Sequence, residues 1–408
     1  MNIALVCSEF FDYKKSEEGI KPTRIHGGFG YLTRRKAELL AELGHEVHVI
    51  APSSAYALDD GPRASAYGQY YLHLFNDLQD SGPFHQVKAF YRMMTHIPGL
   101  LEVLKSVDPD VVQLENVSEY TTTVAKFTNN ALYVFQDPWD DEDIRILIEA
   151  YKEYYGLIGE KYYHGTYDAL RRIFNMRLGS ILKRAGPQRV FSEALFIAEK
   201  ARRMYGLDFT PGFLPNPVRV PPEPPVKAEK PVVTFIARWD PVKRPQVALS
   251  AASRLDDYEF HFIGTSSDVH KHKEVERHLR EKYSGYRNIH IHGFIEEKEK
   301  EEILNNSWVL LNTSAREGLP ITFLEAAAHA SAIVSGVNPD GWAERFGVHV
   351  TGDDFVGALR YAIKNRLHET KGMDAYNYVK DVHEERKVVK MHEEIYQKII
   401  SGGRNNVK

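Results

Sequence analysis

The chain has a single cysteine, Cys7, in 408 residues, so no internal disulfide can form and a reducing compartment is the expected setting. Its first residues, Met1-Asn-Ile-Ala-Leu-Val-Cys7, carry no basic start and only a short apolar run, which reads as a strand and not as a secretion signal. Nowhere does the sequence reach the roughly 18 consecutive apolar residues that a membrane-spanning helix requires. Positive charge is not in excess either, with 52 Lys and Arg against 56 Asp and Glu. A net charge of −4 excludes a general nucleic-acid binder, which would be clearly basic. The histidines are scattered, with neither an H-E-x-x-H helix nor paired Cys/His spacing for zinc. There is no G-x-S-x-G elbow for a serine nucleophile. These absences point to a soluble cytoplasmic protein. Contact with the cytoplasmic membrane face stays open, because Arg171, Arg172, Arg177, Lys183 and Arg184 could meet anionic lipid or simply face water.

What is present is an ordinary globular composition, 43% hydrophobic and 26% charged, over a length that favours two domains. Short β-rich runs alternate with amphipathic helices in both halves, which predicts α/β domains with parallel sheets. The expected strands are Ile3–Cys7, Glu46–Ile50, Asp110–Leu114, Leu132–Phe135, Arg189–Phe191 and Gly212–Leu214, then Val232–Ile236, Glu259–Ile263, Asn288–His292, Trp308–Asn312 and Ala332–Ser335. Between the two sets lies Asn216-Pro-Val-Arg-Val-Pro-Pro-Glu-Pro-Pro225, too rich in proline for a helix or a central strand. The domain boundary belongs there, giving an N-terminal domain 1–217 and a C-terminal domain 218–384. A charged amphipathic helix follows at about Val382–Ile400.

Ligands of doubly wound sheets gather beyond the carboxyl ends of the strands. Those positions hold Arg238 and Lys243, Gly293-Phe294, and Glu317-Gly318 in the second half, and Glu115, Gln136 and Asp137 in the first. The richest segment is Ser314-Ala-Arg-Glu317-Gly318-Leu319-Pro320-Ile321-Thr322-Phe-Leu-Glu325. Gly318 lets backbone approach a ligand, Pro320 suits a helix start, and the helix end that follows offers free N–H groups to phosphate. Glu325, about a turn into that helix, is placed to accept bonds from paired sugar hydroxyls. Arg238 and Lys243 would neutralise a departing diphosphate. Together they suggest a nucleotide-sugar pocket.

Gly27-Gly28-Phe29-Gly30 opens a helix expected over Tyr31–Leu43 and closed by Gly44. Thr33 stands where a G-x-G-x-x-G fingerprint needs its third glycine, so a flexible glycine loop beside a cleft is the better reading than NAD binding. The acidic run Asp137-Pro-Trp-Asp140-Asp141-Glu142-Asp143 is what a helix start attracts, and metal ligation is the alternative. The tyrosines of Tyr151–Tyr167 pack or line a sugar surface.

With these pieces assembled, the chain resembles the retaining GT-B glycosyltransferases of family 4. The resemblance rests on Gly27-Gly28 before Gly44-His45-Glu46-Val47, Asp110-Val-Val, Arg238…Lys243, His292-Gly293-Phe294 and Glu317-x7-Glu325, spread over nearly the whole chain. It implies two Rossmann-like domains facing a central cleft, with a last helix (about 385–408) crossing back to the first. It implies a UDP-linked sugar as the expected donor, a hexose moved to a hydroxyl acceptor with retention of configuration, and no metal or other cofactor. Arg238 and Lys243 would then hold the diphosphate, Glu325 the ribose, and Glu317 the transferred sugar. Backbone around Gly318, Leu319, Pro320, Ile321 and Thr322 would hold sugar and phosphate, and Phe294-Ile295 would frame the base. The acceptor, a sugar, glycan or glycolipid, would be chosen by the loops Glu9–His26 and Ala55–Gln69.

The pattern is not complete. Glu115 and Gln136 stand where members of the family carry His, and Asn338-Pro-Asp-Gly341 replaces a Gly-Gly-x-Pro-Glu turn. Two alternatives therefore accompany the transferase reading, a nucleotide-sugar epimerase or hydrolase on the same fold, and a non-catalytic nucleotide-sugar binder.

Overall fold

A computed structural model describes residues 1–8, 11–16, 19–25, 27–52, 63–75, 85–163, 168–267 and 269–404. The chain divides into two compact units. The first comprises Met1–Pro138, Tyr167–Pro217 and Glu385–Lys408, and the second Trp139–Thr166 and Val218–Glu384.

The first unit is built on the strands β1 (Asn2–Val6), β4 (Glu46–Pro52), β5 (Arg63–Tyr67), β6 (Tyr70–Phe75), β7 (Val111–Leu114), β8 (Ala131–Phe135), β9 (Val190–Ser192) and β10 (Gly212–Phe213). They form one sheet in the order β10-β9-β8-β7-β1-β4-β6-β5, parallel except for the β5 edge. A separate hairpin pairs β2 (Phe11–Ser16) with β3 (Gly19–Ile25). β1, β7 and β8 are almost wholly buried, as strands covered on both faces must be. The helix Gly27–Glu42 ends on Gly44 at φ 85, whose N–H and that of His45 return to Ala41 and Leu40. The final helix, Glu385–Arg404, sinks Val389, Tyr396 and Ile399 into the same core as Ile3, Leu5 and Val47. Its first residue, Glu385, takes a forked ion pair from Arg35 at 2.7 and 2.6 Å.

The second unit holds β11 (Val232–Ile236), β12 (Glu259–Ile263), β13 (Ile289–Gly293), β14 (Val309–Asn312), β15 (Ala332–Ser335) and β16 (Gly347–His349). Their order is β13-β12-β11-β14-β15-β16, all parallel. The proline-rich stretch 216–225 forms neither helix nor strand. Its carbonyls at Pro221 and Pro222 accept from the Tyr376 hydroxyl at 2.7 and 2.9 Å, and Val218 bridges to Glu384.

Three expectations change. The glycines at 27 and 28 lie inside the first turn of their helix and do not form a loop before it. First-turn N–H groups have no partner within a helix anyway, so glycine costs little order there. The span 1–217 is also interrupted, because Trp139–Thr166 packs with the second unit. Tyr154 and Tyr155 join the core around Trp239, and the Tyr154 hydroxyl donates to the Trp239 carbonyl at 2.8 Å. Tyr154 and Tyr155 of the tyrosine-rich stretch are therefore packing, while Tyr163 is exposed. Finally, the loops expected to select the acceptor fall partly outside the described residues, and their described portions include the β2–β3 hairpin and β5.

Wholly and partly buried histidines give the fold an acid sensitivity. Burial, and next the charge of His48, pushes His73 down to about 4. Burial, then His290 and His292, does the same to His261, and burial again to His368. These groups stay neutral in the folded chain and take up protons at about 6.5 once unfolded. Their contribution is complete above that value and is lost as pH falls from about 6.5 toward 4. The unfolding midpoint should thus decline steadily from pH 7 to pH 5. A midpoint flat down to the carboxylate range would remove histidine protonation as the cause.

Candidate functional site

In the second unit, two strand-end loops are stitched together. After β11, Asp240 accepts from the Lys243 N–H and starts the short 3-10 turn Pro241–Lys243, and Arg244 follows in the left-handed region at φ 50. After β14, the Thr313 hydroxyl lies 2.9 Å from the carbonyls of both Lys243 and Arg244, and the Ala315 N–H donates to Val242 at 2.8 Å. Gly264, at the end of β12, is obligatory here. A Cβ on it would sit 1.9 Å from the Ala237 carbonyl, and its φ of +124 is closed to other residues.

The stitching brings Lys243 Nζ to 2.6 and 2.7 Å from the two Glu317 oxygens, while the Ser314 hydroxyl donates to Oε1 at 2.6 Å. Burial alone would raise the Glu317 carboxyl. The Lys243 charge and the bonds from Lys243, Ser314 and Asn312 outweigh it, and the pKa is lowered. Glu317 is thus an ionised carboxylate held in a fixed orientation. Arg238 shares the β11 loop but is not part of this pair. Half exposed, it sits with its Nε 3.4 Å from Asp240.

The helix Ile321–Ala328 begins after Pro320 with no side-chain cap; the Phe323 N–H donates to the Pro320 carbonyl at 3.0 Å, and the N–H groups of Ile321 and Thr322 precede it in the first turn. Glu325 lies in this helix, 8% exposed, and meets Lys300 Nζ at 2.6 Å. Lys300 comes from the helix Glu297–Asn306 and is shared with Glu297 at 3.0 Å. For Glu325, burial prevails over the Lys300 charge, and the pKa is raised. Phe294 stands half exposed beyond Gly293, where φ is 78, with Ile295 next to it. A groove of about 700 Å³ runs along the helix Asp141–Gly156, with Arg244 and Ala315 on its other wall. Its lining does not include Lys243, Glu317 or Glu325.

The expected residues of the first unit are differently placed. Glu115 is 2% exposed, ion-paired with Lys36 and bonded by Gln113 Nε2 at 2.8 Å. Both oxygens are used inside the unit, so the sugar-binding carboxylate expected there is a buried anchor. Gln136 is fully buried, and among the described residues neither its Oε1 nor its Nε2 has a hydrogen-bond partner. An orphaned buried amide is costly, and such groups concentrate where a ligand or water is to be met. Asp137 follows it, half-buried. Gly28 is exposed in the first helical turn.

Residues 220–366 match the family model for glycosyl transferases group 1. The second unit carries a group 1 glycosyltransferase domain. The match contains Arg238, Lys243, Lys300, Glu317 and Glu325. No curated sequence is similar enough to this chain to count as a relative. Solved structures are similar over nearly the whole length. A sucrose-phosphate synthase from Thermosynechococcus elongatus shares 15% identity, covers 98% of this chain and 99% of its own, and superposes with a TM-score of 0.65. The Anabaena protein HepE, solved with UDP and glucose, shares 12%, with 97% and 98% covered and a TM-score of 0.63. A glycosyltransferase from Rickettsia africae shares 15%, with 98% of each chain covered and a TM-score of 0.62. The fold is GT-B, and the chain is a glycosyltransferase.

Two parts of the group 1 domain escaped the sequence reading. Lys300 sits in Glu296-Glu-Lys-Glu-Lys300-Glu-Glu302, which looks like a solvated face, yet it is the counter-ion of Glu325. Arg316 looks like one more loop cation, yet it is buried against Asp143 and Trp139. Only the i, i+3 spacing of Glu297 and Lys300 hinted that the first was held.

Proposed function

We propose that this glycosyltransferase moves a hexose from a UDP-sugar to a hydroxyl of a sugar, glycan or glycolipid, retaining the anomeric configuration and needing no metal. The observation that carries the proposal is the Lys243–Glu317 pair beside an uncapped helix start. A cation and a helix start without a side-chain cap, both at one loop, suit a diphosphate, and a fixed ionised carboxylate suits a sugar hydroxyl. Glu325, with Lys300 behind it, would accept from the ribose hydroxyls, and Phe294-Ile295 would border the base. Arg238, half exposed at the same loop, would close on the diphosphate from solvent.

The step balances without a further group. As the bond from the anomeric carbon to the diphosphate oxygen breaks, the acceptor hydroxyl attacks on the same face. Its proton passes to the departing diphosphate oxygen. Lys243 meets the charge that grows on that oxygen, and Glu317 keeps the sugar in register. Gln136, with two orphaned polar atoms, and Asp137 would contact donor sugar or acceptor. Cytoplasmic location and contact with the membrane face belong to the same proposal.

The test is a metal-free thermal-shift series with UDP-, GDP- and ADP-sugars. A ligand at 100 times its Kd stabilises the native state by about 2.7 kcal/mol. A shift with UDP-sugars alone, followed by product only when an acceptor is added, is expected. Product from donor alone would make the protein an epimerase or hydrolase, and binding without turnover would make it a sensor. No shift with any donor at saturation would end the nucleotide-sugar reading.

A further inference from the structure

Arg316 directly precedes Glu317, yet its side chain is only 8% exposed. Its guanidinium lies 4.3 Å from the centre of the Trp139 ring, and its Nε is 3.0 Å from Asp143 Oδ1. Burying a guanidinium is unfavourable unless charge and shape are both matched, and here an aromatic face and a carboxylate supply them. The carboxylate is itself immobile. Its other oxygen, Oδ2, accepts the Asp140 N–H at 2.8 Å, while Asp140 Oδ1 accepts the N–H groups of Glu142 and Asp143 at 3.0 Å each. This reciprocal cap fixes the start of the helix Asp141–Gly156, and Asp143 Oδ1 then meets Arg316 Nε as a close ion pair that is not aligned for a hydrogen bond.

We infer that Arg316 is a positioning residue for Glu317, clamped by Asp143 and Trp139. The loop is then fastened at each residue that leads into the carboxylate. Thr313, Ser314 and Ala315 are bonded to Lys243, Arg244, Val242 and Glu317 itself. Arg316, directly before Glu317, is held by Asp143 and Trp139. Without the Arg316 contact, Glu317 would stand between a loose residue and the permissive Gly318. The clamp also gives a purpose to the excursion of Trp139–Thr166 into the second unit.

The inference rests on the proposed transferase activity for its kinetic arm, and a second arm does not need that activity. With Arg316→Met, kcat should fall by about 100-fold, the effect of a misplacement near 1 Å, while the donor KM stays within about twofold. Arg316→Lys keeps a cation over Trp139 and within reach of Asp143, and should recover part of the loss. Asp143→Asn should fall between wild type and Arg316→Met. In all of these, hydrogen exchange at the amides of Ala315–Leu319 should accelerate in the same order, while that of β15 stays at the wild-type rate. A merely structural contribution would lower the unfolding midpoint and speed exchange generally, without separating kcat from KM. Wild-type kcat with unchanged exchange in Arg316→Met would overturn the clamp, as would a raised donor KM with kcat intact, which would make Arg316 a donor contact. If Arg316→Met does not fold, Arg316→Lys and Asp143→Asn decide alone. If the wild-type chain transfers no sugar, the proposed function fails, and the exchange pattern still confirms or refutes the clamp.

Discussion

Replacing Lys243 by alanine should reduce kcat/KM by about two orders of magnitude or more, the scale of losing one preorganised stabilising group. The argument has two parts. Lys243 is the cation proposed to meet the departing diphosphate, and it is also the counter-ion that keeps Glu317 ionised. Glu317 is buried, and burial pushes its carboxyl up. Without Lys243 only the bonds from Ser314 and Asn312 oppose that push. The variant should therefore lose charge stabilisation at every pH and, in addition, show an acid limb of kcat shifted upward, since Glu317 would protonate at a higher pH. Glu317→Ala should lose a similar factor without that shift. Because the two side chains act as a unit, the double variant should be little worse than either single one. Lys243→Arg keeps the charge and should keep the wild-type acid limb. Turnover at the wild-type level in a folded Lys243→Ala protein would remove both residues from the catalytic assignment.

How far the sequence foretold this arrangement depends on how local the deciding forces are. The runs Val232–Ile236 and Val309–Asn312 are buried along nearly their whole length, and such strands are continuous apolar stretches that can be read directly. Once they are placed, topology puts Lys243 and Glu317 at adjacent strand ends, and the structure joins them. β6 was harder. Tyr70-Tyr-Leu-His-Leu-Phe75 alternates between buried and more open positions, and it follows a segment read as an irregular loop. Long-range choices were not legible at all. Nothing near Tyr154 signals that it will bury itself against Trp239 and carry its helix into the second unit. Nor does Val-Gln-Leu-Glu115 signal a partner, because Lys36 lies 79 residues earlier and looks like any helix-face lysine. Strand-end logic therefore placed Glu115 correctly and misjudged what it faces. Pairings of buried charges are decided by tertiary packing, and a single sequence does not encode them in any local pattern.

That misjudged residue leads to the largest expected effect on stability. Lys36→Met should destabilise the first unit by about 3–5 kcal/mol, because it strands a buried carboxylate. If that unit unfolds as one body, the midpoint should drop by roughly 10 °C. Glu115 does not stand alone. Gln113 Nε2 donates to its Oε1, which leaves Gln113 Oε1 as an acceptor for the Tyr396 hydroxyl at 2.6 Å and for His392 Nδ1 at 2.9 Å. The bonding pattern thus assigns the His392 proton to Nδ1, and burial together with Lys36 holds that imidazole neutral, far below its ordinary range. The chain of bonds runs from the helix Gly27–Glu42 through the end of β7 to the final helix Glu385–Arg404. Losing Lys36 should therefore loosen that last helix first, seen as faster hydrogen exchange around Tyr396 than around Val47. The double variant Lys36→Met with Glu115→Met should regain much of the stability, since a well-packed apolar pair replaces a buried ion pair at little cost. It should not regain all of it, because Gln113 Nε2 would lose its acceptor, worth about 1 kcal/mol or more when left unmet. A Lys36→Met protein as stable as wild type would show that the pair contributes nothing. A double variant no better than the single one would place the loss in packing and not in the stranded charge.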